Sequence, residues 1–192
     1  FIYLMRHGES EANLNDIHGL PKSPLTKKGK QQAAAAARKF RNISLSSVQA
    51  SDYDRSSKTA QYFTSRPIAQ RPGFNERSFG KLEFELGQIQ LKAFKKHLDH
   101  LPKGSRSHIR FVADMESDLD AYSRFQESLL PAILSSPGNI LIVSHSNIMR
   151  IFMDYSGLMT LPPGAISNCG YFKLGWEKDN LTLMEHNGIK TK

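Results

Sequence analysis

The sequence predicts an α/β fold, a three-layer α/β/α sandwich around a mostly parallel central sheet. Two observations carry that expectation. Phe1-Ile2-Tyr3-Leu4-Met5 and Ile140-Leu141-Ile142-Val143-Ser144 are short apolar runs bounded by turn signals, as in buried strands. Between them, apolar residues recur at helical spacing, most clearly Leu119, Tyr122, Phe125, Leu129, Leu130 and Ile133. Strands alternating with helices form parallel sheets covered on both faces.

The elements follow in order. After the first strand, residues 9–24 read as a polar loop with Gly19 and two prolines. Thr26 is placed to N-cap a helix that runs through the alanine block 33–37 to about Phe40. Residues 47–51 form a short strand candidate, and a second helix starts near Arg55 and passes Thr59, Ala60 and Phe63. Residues 67–70 suggest another strand. Leu86, Ile89, Leu91, Phe94 and Leu98 suggest an amphipathic helix, and residues 100–114 read as irregular. The strand at Ile140 is followed by His145 and a helix from about Asn147 to Tyr155. Residues 170–174 and 180–184 read as a strand pair that adds an antiparallel edge. The whole, 1–192, is expected to be a single domain, with a lid or insert at about 81–115.

Composition narrows the function. Hydrophobic residues make up 39% and charged residues 23%, ordinary for a globular chain. No apolar run approaches the roughly 20 residues of a membrane span, and no signal-peptide pattern is visible. The single cysteine, Cys169, permits no internal disulfide, which suits a reducing, cytoplasmic setting. The net charge of +8 is compatible with nucleic acid, anionic lipid or an anionic small substrate. Its densest cluster (Lys27, Lys28, Lys30, Arg38, Lys39 and Arg41) falls on one helix and reads as a solvated face. No basic stripe interleaved with aromatics appears, so neither nucleic acid nor membrane is an expected partner.

Three strand candidates end in cationic or proton-carrying groups. Arg6 and His7 follow the first, Arg55 comes soon after the second, and His145 follows the strand at Ile140. Were these strands parallel neighbours, two guanidiniums and two imidazoles would meet at the carboxyl edge, where open α/β sheets bind ligands. Such a cluster suits a phosphoryl group, because arginine grips phosphate oxygens with charge-assisted, forked hydrogen bonds. Helix starts near Arg55 and Asn147 could add backbone N–H donors.

These residues sit in a series of motifs. Residues 6–13 read Arg-His-Gly-Glu-Ser-Glu-Ala-Asn, and Ser23-Pro24-Leu25-Thr26 is followed by Gly29, Gln32 and Ala33. Residues 51–60 carry Arg55, residues 75–80 read Asn-Glu-Arg-Ser-Phe-Gly, and Val143-Ser144-His145 is followed by Arg150. Asn168-Cys169 matches a weaker motif. In this order, over nearly the whole chain, they resemble the histidine phosphatase superfamily, which includes cofactor-dependent phosphoglycerate mutases. The resemblance implies a phosphoglycerate mutase-like fold. It implies His7 as a nucleophile that becomes phosphorylated, flanked by Arg6, Arg55 and His145, with Glu76 as general acid and base. Substrate contacts are expected from Arg6, Asn13, Gly19, Arg55, His145 and Ser146. Glu83 and Glu85 are rivals of Glu76 by position. No metal ligand cluster of the usual spacing is visible, and no cofactor is expected.

The expected function is a phosphatase acting on a phosphorylated small molecule or a phosphoprotein. Mutase-type phosphotransfer is the alternative, and a non-catalytic phospho-ligand binder is a third reading. Ala12 stands where mutases often carry tryptophan. Residues 81–115 contain no Arg-Arg-Ser-Tyr followed by a proline run, a block mutases use around substrate. No residue pattern speaks to oligomeric state.

Overall fold

The computed structural model describes residues 1–15, 17, 20–85 and 88–191. In chain order these form β1 (Ile2–Arg6), α1 (Glu11–Leu14), α2 (Lys27–Lys39), β2 (Leu45–Ala50), α3 (Asp54–Ala60), β3 (Ala69–Gln70), α4 (Leu82–Glu85) and α5 (Gln88–His100). They continue as α6 (Lys103–Arg106), α7 (Asp118–Leu134), β4 (Asn139–Ser144), α8 (Ser146–Tyr155), β5 (Ile166–Glu177) and β6 (Asn180–Ile189). The strands make one mixed sheet in the order β3-β2-β4-β1-β5-β6. The first four run parallel, while β5 lies antiparallel to β1 and β6 antiparallel to β5.

The alternation of side chains along each strand builds the three layers. Ile2, Leu4, Ile140, Ile142, Phe172 and Leu174 face one way, into a core with Phe125 and Leu129 of α7 and Ile148 and Phe152 of α8. Tyr3, Met5, Val48, Ala50, Leu141 and Val143 face the other way, against Ala36 of α2, Phe40 and Ala60 of α3. A third, smaller cluster of Phe79, Leu91, Leu98 and Met115 lies apart from both, within the residues expected to form an insert and beside them.

Helix α2 shows how sequence chemistry fixes the frame. The Thr26 hydroxyl accepts the Gly29 N–H at 2.9 Å, capping the first turn. Arg38 and Lys39 sit in the last turn, where the helix dipole favours cations. The loop after β1 lies directly on this first turn. Thr26 donates its N–H to the Glu9 carbonyl, and Gln32 accepts the Glu9 N–H. A Cβ on Gly29 would meet the Glu9 carbonyl oxygen at 1.9 Å, and one on Gly8 would meet the Gly29 oxygen at 2.6 Å.

Several expected elements change in extent. The loop over residues 9–24 contains α1, closed by a capping box between Ser10 and Asn13. The strand at residues 67–70 shrinks to Ala69–Gln70, and the helix at Arg55 ends at Ala60 rather than Phe63. In α5 the buried seam is Leu91, Phe94 and Leu98, a helical spacing that leaves Ile89 82% exposed, so Ile89 does not belong to the apolar face. Leu86 lies outside the described residues. The segment 100–114, expected to be irregular, contains α6. The final strand pair is longer than expected, because it forms a β-hairpin of up to 12 residues a side. Lys27, Lys28, Lys30, Arg38, Lys39 and Arg41 are all exposed, as a solvated face requires.

The Gly29→Ala variant is expected to be destabilised by about 1–3 kcal/mol, since its methyl group must push the Glu9 backbone aside. Thermal unfolding followed by circular dichroism should show Tm lowered by roughly 2–12 °C.

Candidate active site

Strand β4 lies between β1 and β2, so all three deliver their carboxyl ends to one edge. Arg6 pairs with Ser144 and Ala50 with Val143. The pattern continues one residue past each strand: His7 donates its N–H to the Ser144 carbonyl, and Ser51 donates to that of Val143, both at 3.0 Å. His7, Ser51 and His145 are thereby fixed side by side. Arg55 joins them from the first turn of α3.

His7 is 3% exposed. Its Nδ1 lies 2.6 Å from the Gly8 carbonyl oxygen, which makes Nδ1 the protonated nitrogen and leaves a lone pair on Nε2. The Arg55 Nε–H points at that lone pair from 3.1 Å. Asn168 Nδ2 and the Cys169 N–H both donate to the His7 carbonyl, so the weak motif near the C-terminus clamps the backbone here. Burial first, then the Arg55 and Arg6 guanidiniums, hold the His7 imidazole well below its ordinary range, and it is neutral.

His145 is also fully enclosed, 1% exposed. Its ring stands edge-on to those of His7 and Tyr53, each at 5.0 Å between centroids. Burial and then Arg55 keep it neutral too. Arg55 is fixed by donation to the Leu20 carbonyl at 2.6 Å and by stacking over Tyr53 at 4.8 Å. Arg6 donates to the Ile166 carbonyl at 2.5 Å, and its Nε is buried without a partner among the described residues.

Glu76 reaches the same cleft from the loop after β3. Its Oε1 accepts the N–H groups of Arg77 (3.0 Å) and Ile148 (2.8 Å), and its Oε2 accepts that of Asn147 (3.1 Å). One expectation changes here. The first N–H groups of α8 were expected to face a phosphoryl group, but those of Asn147 and Ile148 hold the Glu76 carboxylate, a short acceptor already in reach. Nor does Glu76 pair with the Arg77 guanidinium, which is buried against Asp118 at 2.6 Å and bonds the Glu116 carbonyl.

The cleft encloses about 270 Å³ and is lined by Arg6, His7, Asn13, Arg55, Glu76 and Ser146 among others. A chamber of about 120 Å³ adjoins it past Ser146 and Asn147, towards Arg150 and residues 162–166. Of the expected substrate contacts, Arg6, Asn13, Arg55 and Ser146 line the cleft, and His145 packs behind it against His7. Gly19 lies outside the described residues, as does His18. Ser10 is the N-cap of α1, with its hydroxyl accepting the Asn13 N–H.

Sequence reasoning assigned no role to Tyr53, Phe79 and Lys95, which also line the cleft, nor to Ser51 and Ser56, which touch His145. The serines were visible as neighbours of Arg55 in one motif, whereas Lys95 sits on α5 with no local signal. Glu83, a rival of Glu76 by position, lines the cleft as well. Burial pushes its carboxyl up, against the opposing pull of the Phe79 N–H and Lys95. Among the described residues no helix is long and apolar enough to cross a membrane, and no group of three or more His, Cys, Asp or Glu is gathered in a way that could hold a metal ion.

Two neutral imidazoles, two guanidiniums and the Glu76 carboxyl group thus gather at one parallel sheet edge, around and just behind a single cleft. The model of the histidine phosphatase superfamily, branch 1, matches residues 2–188, and the chain belongs to that family. It is similar to a probable phosphoglycerate mutase, GpmB, of Enterobacter sp. (strain 638), with 28% identity over 92% of this chain and 85% of the relative. It is also similar to the adenosylcobalamin/alpha-ribazole phosphatase of Salmonella typhimurium, with 26% identity over 86% of this chain and 82% of the relative. Among solved structures, YhfR of Bacillus stearothermophilus superposes with a TM-score of 0.79 at 22% identity, covering 95% of this chain and 94% of that one. The fold is thus shared with that structure, and relatives carry the names of both phosphatases and mutases.

Burying His7 and His145 as neutral rings ties stability to pH. Their folded pKa values lie below those of the unfolded chain, so the unfolded state takes up protons first as pH falls. The stability they allow is complete above about pH 6.5 and is lost below it, at up to about 1.4 kcal/mol per pH unit for each ring. Urea unfolding between pH 7 and pH 5 should show this slope, and His145→Gln should be less steep than the wild type.

Proposed function

We propose that the protein is a phosphatase that hydrolyses phosphomonoesters through a phosphohistidine formed on His7. The observation that carries this reading is the Arg55 Nε–His7 Nε2 contact of 3.1 Å. It places a fixed guanidinium beside the lone pair of a neutral, oriented imidazole. As substrate enters, the Arg55 Nε–H leaves Nε2 for a phosphoryl oxygen; the freed Nε2 lone pair attacks phosphorus, an Nε2–P bond forms, and the bond from phosphorus to the ester oxygen breaks. Arg6 and Arg55 stabilise charge on the transferring group, usually the largest catalytic term. With two guanidiniums in this role, the displacement needs no metal for charge neutralisation.

The leaving oxygen needs a proton, and Glu76 is the proposed donor. Oε1 accepts two backbone N–H groups and Oε2 accepts one, so among the described residues Oε2 keeps a lone-pair position for a proton. In the second step Glu76 takes a proton from water, the water oxygen attacks phosphorus, and the N–P bond breaks to free His7 and inorganic phosphate. A second reading assigns the proton to Glu83, favoured by its burial in the same cleft and its raised pKa.

The covering segment, residues 81–115, is proposed as a lid over the substrate's leaving portion, since Glu83 and Lys95 of α4 and α5 reach the cleft from it. The substrate is a phosphorylated small molecule or a phosphoprotein, in a cytoplasmic setting consistent with the lone Cys169. Mutase-type transfer, suggested by the name of the GpmB relatives, is the competing reading, and the missing mutase block around residues 81–115 weighs against it.

His7→Ala is expected to abolish phosphate release in a screen across phosphorylated metabolites, and substantial turnover by that variant would remove His7 from its role. Formation of 2-phosphoglycerate from 3-phosphoglycerate with a bisphosphate primer would establish the mutase instead. Glu76→Gln should lower kcat by about 10²- to 10⁴-fold on alkyl phosphates and far less on nitrophenyl phosphate, whose leaving group needs no proton. The same contrast measured in Glu83→Gln, with Glu76→Gln unaffected, would transfer the role to Glu83.

A further inference from the structure

The hydrogen-bond inventory behind the cleft assigns a task to two serines. Ser51 and Ser56 are both fully buried. The Ser51 hydroxyl lies 2.8 Å from His145 Nε2, and the Ser56 hydroxyl lies 3.3 Å from the same atom. The Tyr53 N–H donates to the Ser51 oxygen at 3.3 Å. That bond uses a lone pair of the oxygen and leaves the hydroxyl hydrogen to be placed. Among the described residues, Nε2 is the acceptor within reach of either hydroxyl.

The alternatives can be counted. If Nε2 carried a hydrogen, both serine hydroxyl hydrogens would be stranded in a buried site, each at the cost of an unmade bond. If Nε2 is bare, it accepts from Ser51, with Ser56 as a second donor. The ring is neutral, so its hydrogen then sits on Nδ1. That atom is buried with no hydrogen-bond partner among the described residues. A buried donor without a partner marks a place where a ligand atom completes the bonding. The ring packs against that of His7, with centroids 5.0 Å apart.

We propose that Ser51, seconded by Ser56, is a positioning residue that fixes His145 as its Nδ1–H tautomer, so that the ring meets a phosphoryl oxygen as a neutral hydrogen-bond donor. The proposal rests on the phosphatase reading for its catalytic consequence but not for the tautomer itself. The opposite tautomer would turn a lone pair towards the phosphoryl oxygens and repel them. Where an otherwise intact catalytic imidazole is held in the wrong tautomer, the loss reaches about 10⁴-fold. Ser51 is itself fixed: its N–H bonds the Val143 carbonyl, and its carbonyl accepts the Ser57 hydroxyl at 3.2 Å. Strand β2 therefore transmits its register to the protonation pattern of a ring at the end of β4.

The test reads the ring nitrogens of His145 directly by ¹⁵N–¹H correlation, with assignment by loss of the signal in His145→Gln. The wild type should show an unprotonated Nε2 and a protonated Nδ1; a protonated Nε2 overturns the proposal. In the Ser51→Ala/Ser56→Ala double variant the tautomers should become mixed. Its kcat on phosphomonoesters should fall by roughly 10- to 100-fold, less than the 10²- to 10³-fold typical of deleting a donor outright. Ser51→Cys, a poorer donor of similar size, should fall between, and it replaces the double variant if that one does not fold. Unchanged tautomer and unchanged kcat in the variants would also overturn the proposal. A wild-type protein with the stated tautomer but no phosphate release from any substrate would uphold the positioning and remove the phosphatase reading.

Discussion

The site depends on one constraint, the parallel register of three strands. Strand β4 is flanked by β1 and β2, and the ladder runs one residue beyond each strand end through His7 to Ser144 and Ser51 to Val143. A shift of a single residue would turn every side chain to the opposite face of the sheet. Ile2, Leu4, Ile140 and Ile142 pack on one face, while Tyr3, Met5, Leu141 and Val143 pack on the other, so both cores resist such a shift. The apolar layers thus hold the relative positions of the two histidines, although neither core contains a catalytic atom.

Within that frame, charge and burial work together. His7 and His145 are enclosed and lie near Arg6 and Arg55, and both conditions favour the neutral ring. The same guanidiniums that keep the rings neutral also line the cleft. Each is tied to backbone carbonyls, Arg6 to Ile166 and Arg55 to Leu20, which fixes its direction without neutralising it. Arg77 is the contrast. It faces the cleft wall but is paired with buried Asp118, and so serves the frame.

Much of this was legible in the sequence because the decisive residues sit at the ends of strongly apolar runs. Arg6 ends one such strand, His7 and His145 each come directly after one, and Arg55 comes soon after the third. Family motifs then linked these positions to one chemistry. What the sequence left out depends on contacts between distant segments. That Glu76 would sit on the N–H groups of Asn147 and Ile148 follows from how the loop after β3 meets α8, 70 residues later. Ile89 looked apolar enough for the buried seam, yet the phase of α5 is set by Leu91 and Leu98 against Phe79, and Ile89 turns outward. Lys95 enters the cleft for the same reason, carried there by a helix whose own sequence says nothing about a neighbour.

The small cluster formed by Phe79, Leu91, Leu98 and Met115 has a further implication. It shares no buried residue with the two cores that clasp the sheet. The two histidines stand at the sheet edge, whereas the segment that covers their cleft with Glu83 and Lys95 rests on a separate apolar footing. Residues in that cover can therefore be exchanged, in nature or by design, without unsettling the strands that carry the histidines. On the phosphatase reading proposed above, the architecture separates what is done to a phosphate from the choice of molecule that brings it.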